Sequence, residues 1–311
     1  MTTYTHETVL LNEAVSALIG SPSGRYVDAT FGRGGHSRLL LSKLGENARL
    51  IGVDKDLVAI EVAQIVQQKD SRFTAEHGSF SDLDSILARL AWDGVDGILA
   101  DLGVSSPQLD DAGRGFSFMH DGPLDMRMDT TTGESAADWI AGVTEAELVR
   151  VLREYGEERF AKRIARALIS ERQLRPFLTT KHLATVAAEA NPAWEKHKHP
   201  ATRVFQAIRI AVNNELGDLE IFLEKASQAL SLGGKLVVIS FHSLEDRMVK
   251  RFMKMKARGD EPPPGVPVLE KDIVRPFKAR SKPVKPSEEE VSNNVRARSA
   301  VMRILEKVSD A

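Results

Sequence analysis

The stretch Tyr26–Asp54, YVDATFGRGGHSRLLLSKLGENARLIGVD, decides the fold. Its opening residues predict a buried strand over Tyr26–Thr30. Gly32, Gly34 and Gly35 follow and predict a turn whose backbone can pass close to a ligand. Leu39, Leu40 and Leu44 then mark the apolar face of a helix, and a second apolar strand, Leu50–Val53, ends on Asp54. Strand, glycine turn, helix, strand and terminal acid form the first half of a nucleotide-type site, where the acid can accept hydrogen bonds from ribose hydroxyls. Dehydrogenases and methyltransferases both carry this arrangement.

Working outward, strand ends recur at Thr30, Asp54, His77 and Asp101, with gaps of 24, 23 and 24 residues. That interval is one compact strand–helix unit, so an α/β fold with a mostly parallel, Rossmann-like sheet and right-handed crossovers is expected. The next buried strand is Lys235–Ser240, 139 residues after Asp101. An insert on the order of 100 residues therefore follows the fourth strand, against the usual crossover length. It reads as all-helical. Thr144 and Glu147 match a capping box; Phe160, Ile164 and Leu168 form a helical stripe; Thr180–Ala190 is a further helix. Pro200 can open another, with Val204, Ala207, Ile208 and Ala211 on its buried side. The expected organisation is a first domain part over 1–110, an inserted helical domain over 111–215, and the returning part over 216–311.

A short leading helix is expected over His6–Leu18. After Ser240 comes a helix with Met248, Phe252 and Met255 inward and Arg247, Lys250, Arg251 and Lys254 outward. Residues 259–290 read as an extended basic loop, Glu288–Glu290 as a solvated acidic run, and Ala300–Ile304 as the last strand.

With 42 Lys+Arg against 44 Asp+Glu, the chain has no global field to draw in nucleic acid, so any such partner must meet local basic patches. Zero cysteines remove disulfides, thiolate zinc sites and a cysteine nucleophile. No apolar run approaches the roughly 20 residues of a membrane span. The N-terminal MTTYTHETVLLNE lacks the features of a secretory signal. A soluble cytoplasmic protein is expected.

Charge separates the candidate ligands. A dinucleotide sets its pyrophosphate at the glycine turn and helix N-terminus, yet Asp28 sits just ahead of that turn and Asp101 ends the fourth strand. Each uncompensated carboxylate close to a phosphate costs roughly 1–4 kcal/mol. S-adenosylmethionine has no phosphate and carries an ammonium and a sulfonium, which carboxylates favour. Asp28 also has the simpler reading of a turn cap. The loop from Asp101, DLGVSSPQ, resembles the polar-Pro-Pro-aromatic loop of amino-methyltransferases, without its second proline and its aromatic. Phe80, after the third strand, is placed either to pack on an adenine or in the core.

With these loops assembled, the sequence closely resembles the bacterial small-subunit ribosomal RNA cytosine-N4 methyltransferases of the RsmH (MraW) family. The likeness rests on DATFGRGGHSR from Asp28, DLGVSSPQLDDAGRGFSF from Asp101 and DGPLDMRMD from Asp121. YGEERFAKRIA from Tyr155, HPATRVFQAIRIAVNNEL from His199 and ISFHSLEDRMVKRFM from Ile239 extend it over nearly the whole chain, together with His6 and VLLNEAV. The resemblance implies a class I S-adenosylmethionine-dependent methyltransferase with an inserted helical substrate domain. It implies N4-methylation of a cytidine in the decoding centre, on small-subunit ribosomal RNA or the assembled subunit. Family ligand positions fall on Gly34, Gly35, His36, Asp54, Phe80, Asp101 and Gln108. No metal is expected; the acids of DGPLDMRMD read better as a turn held by its own charges.

Without cysteine, methylation at cytosine C5 through a thiolate adduct is excluded. Amine methylation needs no adduct, but the N4 lone pair is delocalised into the ring. Acceptors for the amine hydrogens would help, and the Asp101–Pro107 loop is the expected source, with Ser105, Ser106 or a backbone carbonyl as acceptor. RNA is expected on basic faces: residues 150–209 hold 13 Lys/Arg against 6 Asp/Glu, and Arg203, Gln206, Arg209 and Asn213 recur opposite the apolar stripe. His242 and Asp246 read equally as pocket-lining or capping residues. The competing readings are a DNA amino-methyltransferase, an NAD-dependent dehydrogenase, with Asp54 lying 20 residues after Gly34, and a non-catalytic RNA-binding assembly factor.

Overall fold

The computed structural model describes residues 8–194, 199–259 and 274–310, so His6 and the middle of the expected basic loop lie outside the described residues. Two compact units emerge: Met1–Gly103 with Gly217–Ala311, called here the sheet unit, and Val104–Leu216, the helical unit.

The sheet unit is built on β1 (Arg25–Asp28), β2 (Arg49–Asp54), β3 (Phe73–His77), β4 (Val95–Asp101), β5 (Leu230–Ser240), β6 (Phe277–Ala279) and β7 (Val301–Lys307). Their spatial order is β3-β2-β1-β4-β5-β7-β6. The first five pair in parallel, and β7 lies antiparallel between β5 and β6. Helices α1 (Leu11–Leu18), α2 (Gly35–Lys43), α3 (Leu57–Lys69) and α4 (Leu83–Arg89) accompany the first strands. The near-continuous apolar strands are explained by burial on both faces. Tyr26, Leu50, Leu99 and Val237 pack with Leu18 and Leu40 on one face. Their neighbours Val27, Ile51, Ile98 and Val238 pack with Phe222 and Val249 on the other. Each such side chain removed from water contributes about 1.5–3 kcal/mol.

β1 stops at Asp28, two residues short of expectation, because the Asp28 carboxylate accepts the Thr30 N–H and bends the chain. β5 starts earlier than expected, running through Gly233 at φ 79° and a register shift opposite Val95–Gly97 that sequence alternation does not reveal. The three-residue edge strand β6 was unexpected inside a basic loop. The last strand is longer than Ala300–Ile304 and ends at Lys307.

In the helical unit, α5 (Ser106–Asp110), α6 (Ala136–Gly142), α7 (Glu145–Glu154), α8 (Ala161–Leu174), α9 (Thr180–Ala190) and α10 (Ala201–Val212) surround a core containing Leu148, Ile164, Leu168, Leu183, Val204 and Ile208. Thr144 caps α7 by accepting the Glu147 N–H at 3.2 Å, but the expected capping box is only half made. The Glu147 carboxylate instead accepts from the Arg150 guanidinium at 2.6 and 2.8 Å. The DGPLDMRMD turn is held by its own charges: Arg127 donates to both oxygens of Asp125 at 2.8 Å.

The chain leaves this unit in α11 (Glu215–Ala229) and continues in the sheet unit through α12 (Ser243–Arg258) and α13 (Glu288–Asn293). On α12 the buried line is Glu245, Val249 and Met253, so Met255, two residues on and about 200° around the helix, is 56% exposed rather than inward. Of the acidic run Glu288–Glu290, Glu288 and Glu289 are exposed as expected and Glu290 is not. All three form the first turn of α13, where Ser287 caps the helix and Glu290 Oε1 accepts the Leu10 N–H at 2.7 Å.

Candidate active site

The three acids that end β1, β2 and β4 meet at the carboxyl edge of the sheet, where the strand order reverses between β1 and β4 and ligands of open α/β sheets bind. Asp28 is 1% exposed; its Oδ2 accepts from Ser37 Oγ at 2.6 Å and its Oδ1 from the Thr30 N–H at 3.3 Å. The cap reading of Asp28 is thus realised, in a carboxylate that is also buried in the site. Burial pushes its carboxyl up to about 6, against the lowering effect of those two donors.

Asp54 binds the glycine turn itself. Its Oδ2 accepts the Gly32 N–H at 2.7 Å and its Oδ1 accepts the Asp56 N–H at 2.9 Å. Burial also carries this carboxyl to about 6, with the donated N–H groups working against it. Gly32 and Gly34 have φ of 55° and 74°, and a Cβ on Gly34 would lie 2.5 Å from the Phe31 ring. The turn therefore needs glycine for both its handedness and its packing.

Asp101 is pushed well above the ordinary carboxyl range by burial first, then by the negative charges of Asp28 and Glu245. Its N–H donates to Thr30 Oγ1 at 2.6 Å, and among the described residues its Oδ1 has no hydrogen-bond partner. His36, in the first turn of α2 and 4% exposed, holds Nδ1 3.9 Å from Asp101 Oδ2. Glu245, which sequence reasoning missed, is 2% exposed and accepts the Phe241 and His242 N–H groups at 2.9 and 3.3 Å. The available signal was HSLE after a buried strand, a capping box with histidine in place of serine. His242 is accordingly the cap of α12, and Asp246 pairs with Arg303 at 2.7 Å.

Phe80 lies half-buried after β3, edge-on to Phe222 at 5.0 Å, with Lys55 Nζ 5.8 Å from its ring centroid. The structure thus gathers Gly34, Gly35, His36, Asp54, Phe80 and Asp101 within the sheet unit.

Ser105, Ser106, Pro107 and Gln108 belong to the helical unit and open α5. Ser105 Oγ accepts the Gln108 N–H at 3.4 Å, and Gln108 Oε1 accepts the Ser105 N–H at 2.8 Å. Gln108 is 8% exposed, and its carboxamide oxygen is committed to this box. Among the described residues Ser106 Oγ makes no hydrogen bond, which distinguishes it from Ser105.

The polar stripe of α10, expected to face RNA, makes hydrogen bonds within its own unit. Arg209 makes two 2.7 Å hydrogen bonds to Glu215. Asn213 accepts the Met128 N–H at 2.7 Å and donates to Met126 O at 2.8 Å. Gln206 donates to Tyr155 O at 3.1 Å, and Arg203 to Glu157 O at 3.2 Å. These groups tie α10 to the loops of its own unit. Helical periodicity identified the face as polar but not that backbone would cover it.

The cluster is a poor host for a pyrophosphate and a good one for a cation. A buried carboxylate oxygen lacking a donor among the described residues suits an ammonium or sulfonium, while the glycine turn lets the backbone approach a ligand closely. A seven-stranded sheet with acids at three strand tips and β7 reversed beside β5 defines a class I S-adenosylmethionine-dependent methyltransferase. Sequence comparison carries the assignment further. The MraW methylase family model matches residues 3–308, and the chain belongs to that family. A protein of Marinomonas sp. named ribosomal RNA small subunit methyltransferase H is 56% identical over 98% of this chain and 98% of its own. A protein of the same name from Nitrosococcus oceani is 53% identical over 97% of this chain and 96% of its own. No described helix is long and apolar enough to cross a membrane.

Proposed function

We propose that the protein methylates the exocyclic N4 amine of a cytidine in the decoding centre of small-subunit ribosomal RNA. The carrying observation is the carboxylate cluster around Asp101, with a buried oxygen that no described residue donates to, in a chain 53–56% identical to two ribosomal RNA small subunit methyltransferases H. S-adenosylmethionine, when bound, supplies an electrophilic methyl group. Gly34 and Gly35 would give the backbone close approach to it, Asp54, which holds the turn, would accept from the ribose hydroxyls, and Phe80 would pack on the adenine. Asp28 and Asp101 supply the negative field that favours its cationic groups, and His36 flanks Asp101. Gln108 belongs to the same proposed set through its position in the Asp101–Gln108 stretch.

On the acceptor side, the target base must be unstacked to reach any pocket. Its N4 lone pair is delocalised, so a hydrogen-bond acceptor for an amine hydrogen raises nucleophilicity as the new C–N bond forms. Ser106 Oγ is the favoured acceptor, because Ser105 is committed to capping α5, and Pro107 stiffens the loop. The amine proton released after transfer passes to solvent or to a raised-pKa carboxylate such as Asp101. Mass spectrometry of ribosomal RNA nucleosides from cells with and without the gene tests the reaction. Loss of N4-methylcytidine supports it, and an unchanged nucleoside profile rejects it.

A further inference from the structure

The helical unit carries a depression open to solvent, lined by Arg159, Phe160, Asn191, Trp194, His199 and Arg203 among others. Its aromatic wall is built, not incidental. Phe205 of the core packs edge-on to Phe118 at 4.9 Å, Phe118 lies 4.8 Å from His199, and His199 meets Trp194 edge-on at 5.5 Å. This ladder runs from the core to a surface indole that remains 64% exposed. Asn191 Oδ1 accepts the Ala193 N–H at 3.0 Å and fixes the turn that presents Trp194. His199 Nδ1 accepts the Ala201 N–H at 3.2 Å, which in the neutral ring sets the proton on Nε2 as a donor.

A cation borders this wall. Arg159 lies over the Phe160 ring at 5.3 Å and is exposed. An exposed indole at the end of an aromatic ladder, beside an exposed arginine, is the chemistry that holds single-stranded nucleic acid.

We propose that this depression stacks one unpaired base of the RNA on Trp194 while Arg159 holds an adjoining phosphate. It is an RNA subsite additional to the reacting cytidine, and it rests on the RNA-methyltransferase reading above. Its readout, however, is binding and not methyl transfer.

The test uses the full chain with a six-nucleotide single-stranded pyrimidine oligoribonucleotide, followed by tryptophan fluorescence and by anisotropy of a labelled oligonucleotide. Quenching is expected on binding. Trp194→Ala should abolish most of it and weaken affinity about 5- to 150-fold, the loss of one base stack, whereas Trp194→Phe should retain most of the affinity. Replacing Arg159 by Gln should lower the salt slope of log Kd by about 1. In methylation assays on small-subunit RNA, Trp194→Ala should raise KM and leave kcat near its original value. Equal affinity of Trp194→Ala and the unaltered chain, with both giving circular dichroism spectra of folded protein, overturns the proposal. A lowered activity on assembled subunits without any change in oligonucleotide binding also overturns it, since it marks a protein contact. Trp194-dependent oligonucleotide binding without ribosomal RNA methylation would keep the subsite and reject the proposed reaction.

Discussion

Ser37 Oγ donates to Asp28 Oδ2 at 2.6 Å where Ser37 is 0% and Asp28 1% exposed, so the glycine-turn helix and the first strand share one buried, charge-assisted hydrogen bond. Removing the hydroxyl leaves that carboxylate with only the 3.3 Å Thr30 N–H. Ser37→Ala is expected to lower stability at pH 7.5 by about 1–3 kcal/mol, the cost of leaving a buried acceptor underbonded, and to raise the Asp28 carboxyl further. Urea denaturation at pH 7.5 and 5.5 checks both, since the deficit should shrink at the lower pH.

The raised carboxyls of Asp28 and Asp54, both at about 6 against an ordinary 3.8, fix a direction for pH dependence. The folded state binds these protons more tightly than the unfolded chain. Their contribution to stability is therefore fully present below pH 4, falls as pH rises through about 6, and levels off above. Each group accounts for up to about 3 kcal/mol. The salt-bridged acids Asp70, Asp125 and Glu147 have lowered pKa values and lose their contribution only in stronger acid, outside this window. The cofactor-free protein should thus be more resistant to urea at pH 5.5 than at 7.5, and Asp28→Asn should flatten the difference. Affinity for S-adenosylmethionine should change the other way, rising with pH as the cluster ionises.

Asp101→Asn removes the charge most strongly opposed by its surroundings. The cofactor-free variant should melt at a temperature equal to or above that of the unaltered protein. Its affinity for S-adenosylmethionine should fall about tenfold or more, the loss of one close opposite charge at intermediate dielectric. Differential scanning fluorimetry with and without the cofactor reads both effects.

Arg209 faces Glu215 with side-chain exposures of 15% and 9%. Arg209→Ala should cost about 3 kcal/mol in stability, the lower end for breaking a buried ion pair. Removal of the exposed Arg163 should cost almost nothing. Denaturation curves of the two variants distinguish a structural arginine from a solvated one.

Gly34→Ala places a side chain at φ 74° and against the Phe31 ring. The strain alone amounts to about 1–3 kcal/mol. Thermal melts should show the loss, and calorimetry should show weakened cofactor binding at temperatures where the variant is still folded.

Strand identity was legible because apolar runs buried on both faces leave little ambiguity, and because Asp54, His77 and Asp101 mark strand ends by breaking those runs. The boundaries of β1 and β5 were not legible, since they depend on a carboxylate bonding two residues ahead at Asp28 and on a bulge facing Val95. The conformation of the glycine turn could be read from Gly32 and Gly34, but its anchoring by Asp54 Oδ2 could not, because a side-chain to backbone bond across 22 residues leaves no periodic trace. The hydrogen bonds of the α10 stripe were not legible for the same reason. The helix's own periodicity does not show that Arg209 pairs with Glu215 at the start of α11 or that Asn213 bonds to the backbone of Met126 and Met128. Glu245 escaped notice because histidine is an uncommon N-cap.

Isothermal titration calorimetry of the cofactor-free protein at pH 7.5, with S-adenosylmethionine in one series and NAD in the other, tests most directly whether the carboxylate cluster receives a cationic methyl donor. Saturable one-to-one heat with S-adenosylmethionine, much weakened in Asp101→Asn, and no saturable heat with NAD is the expected result. Saturable binding of NAD, or S-adenosylmethionine binding indifferent to Asp101→Asn, would contradict it.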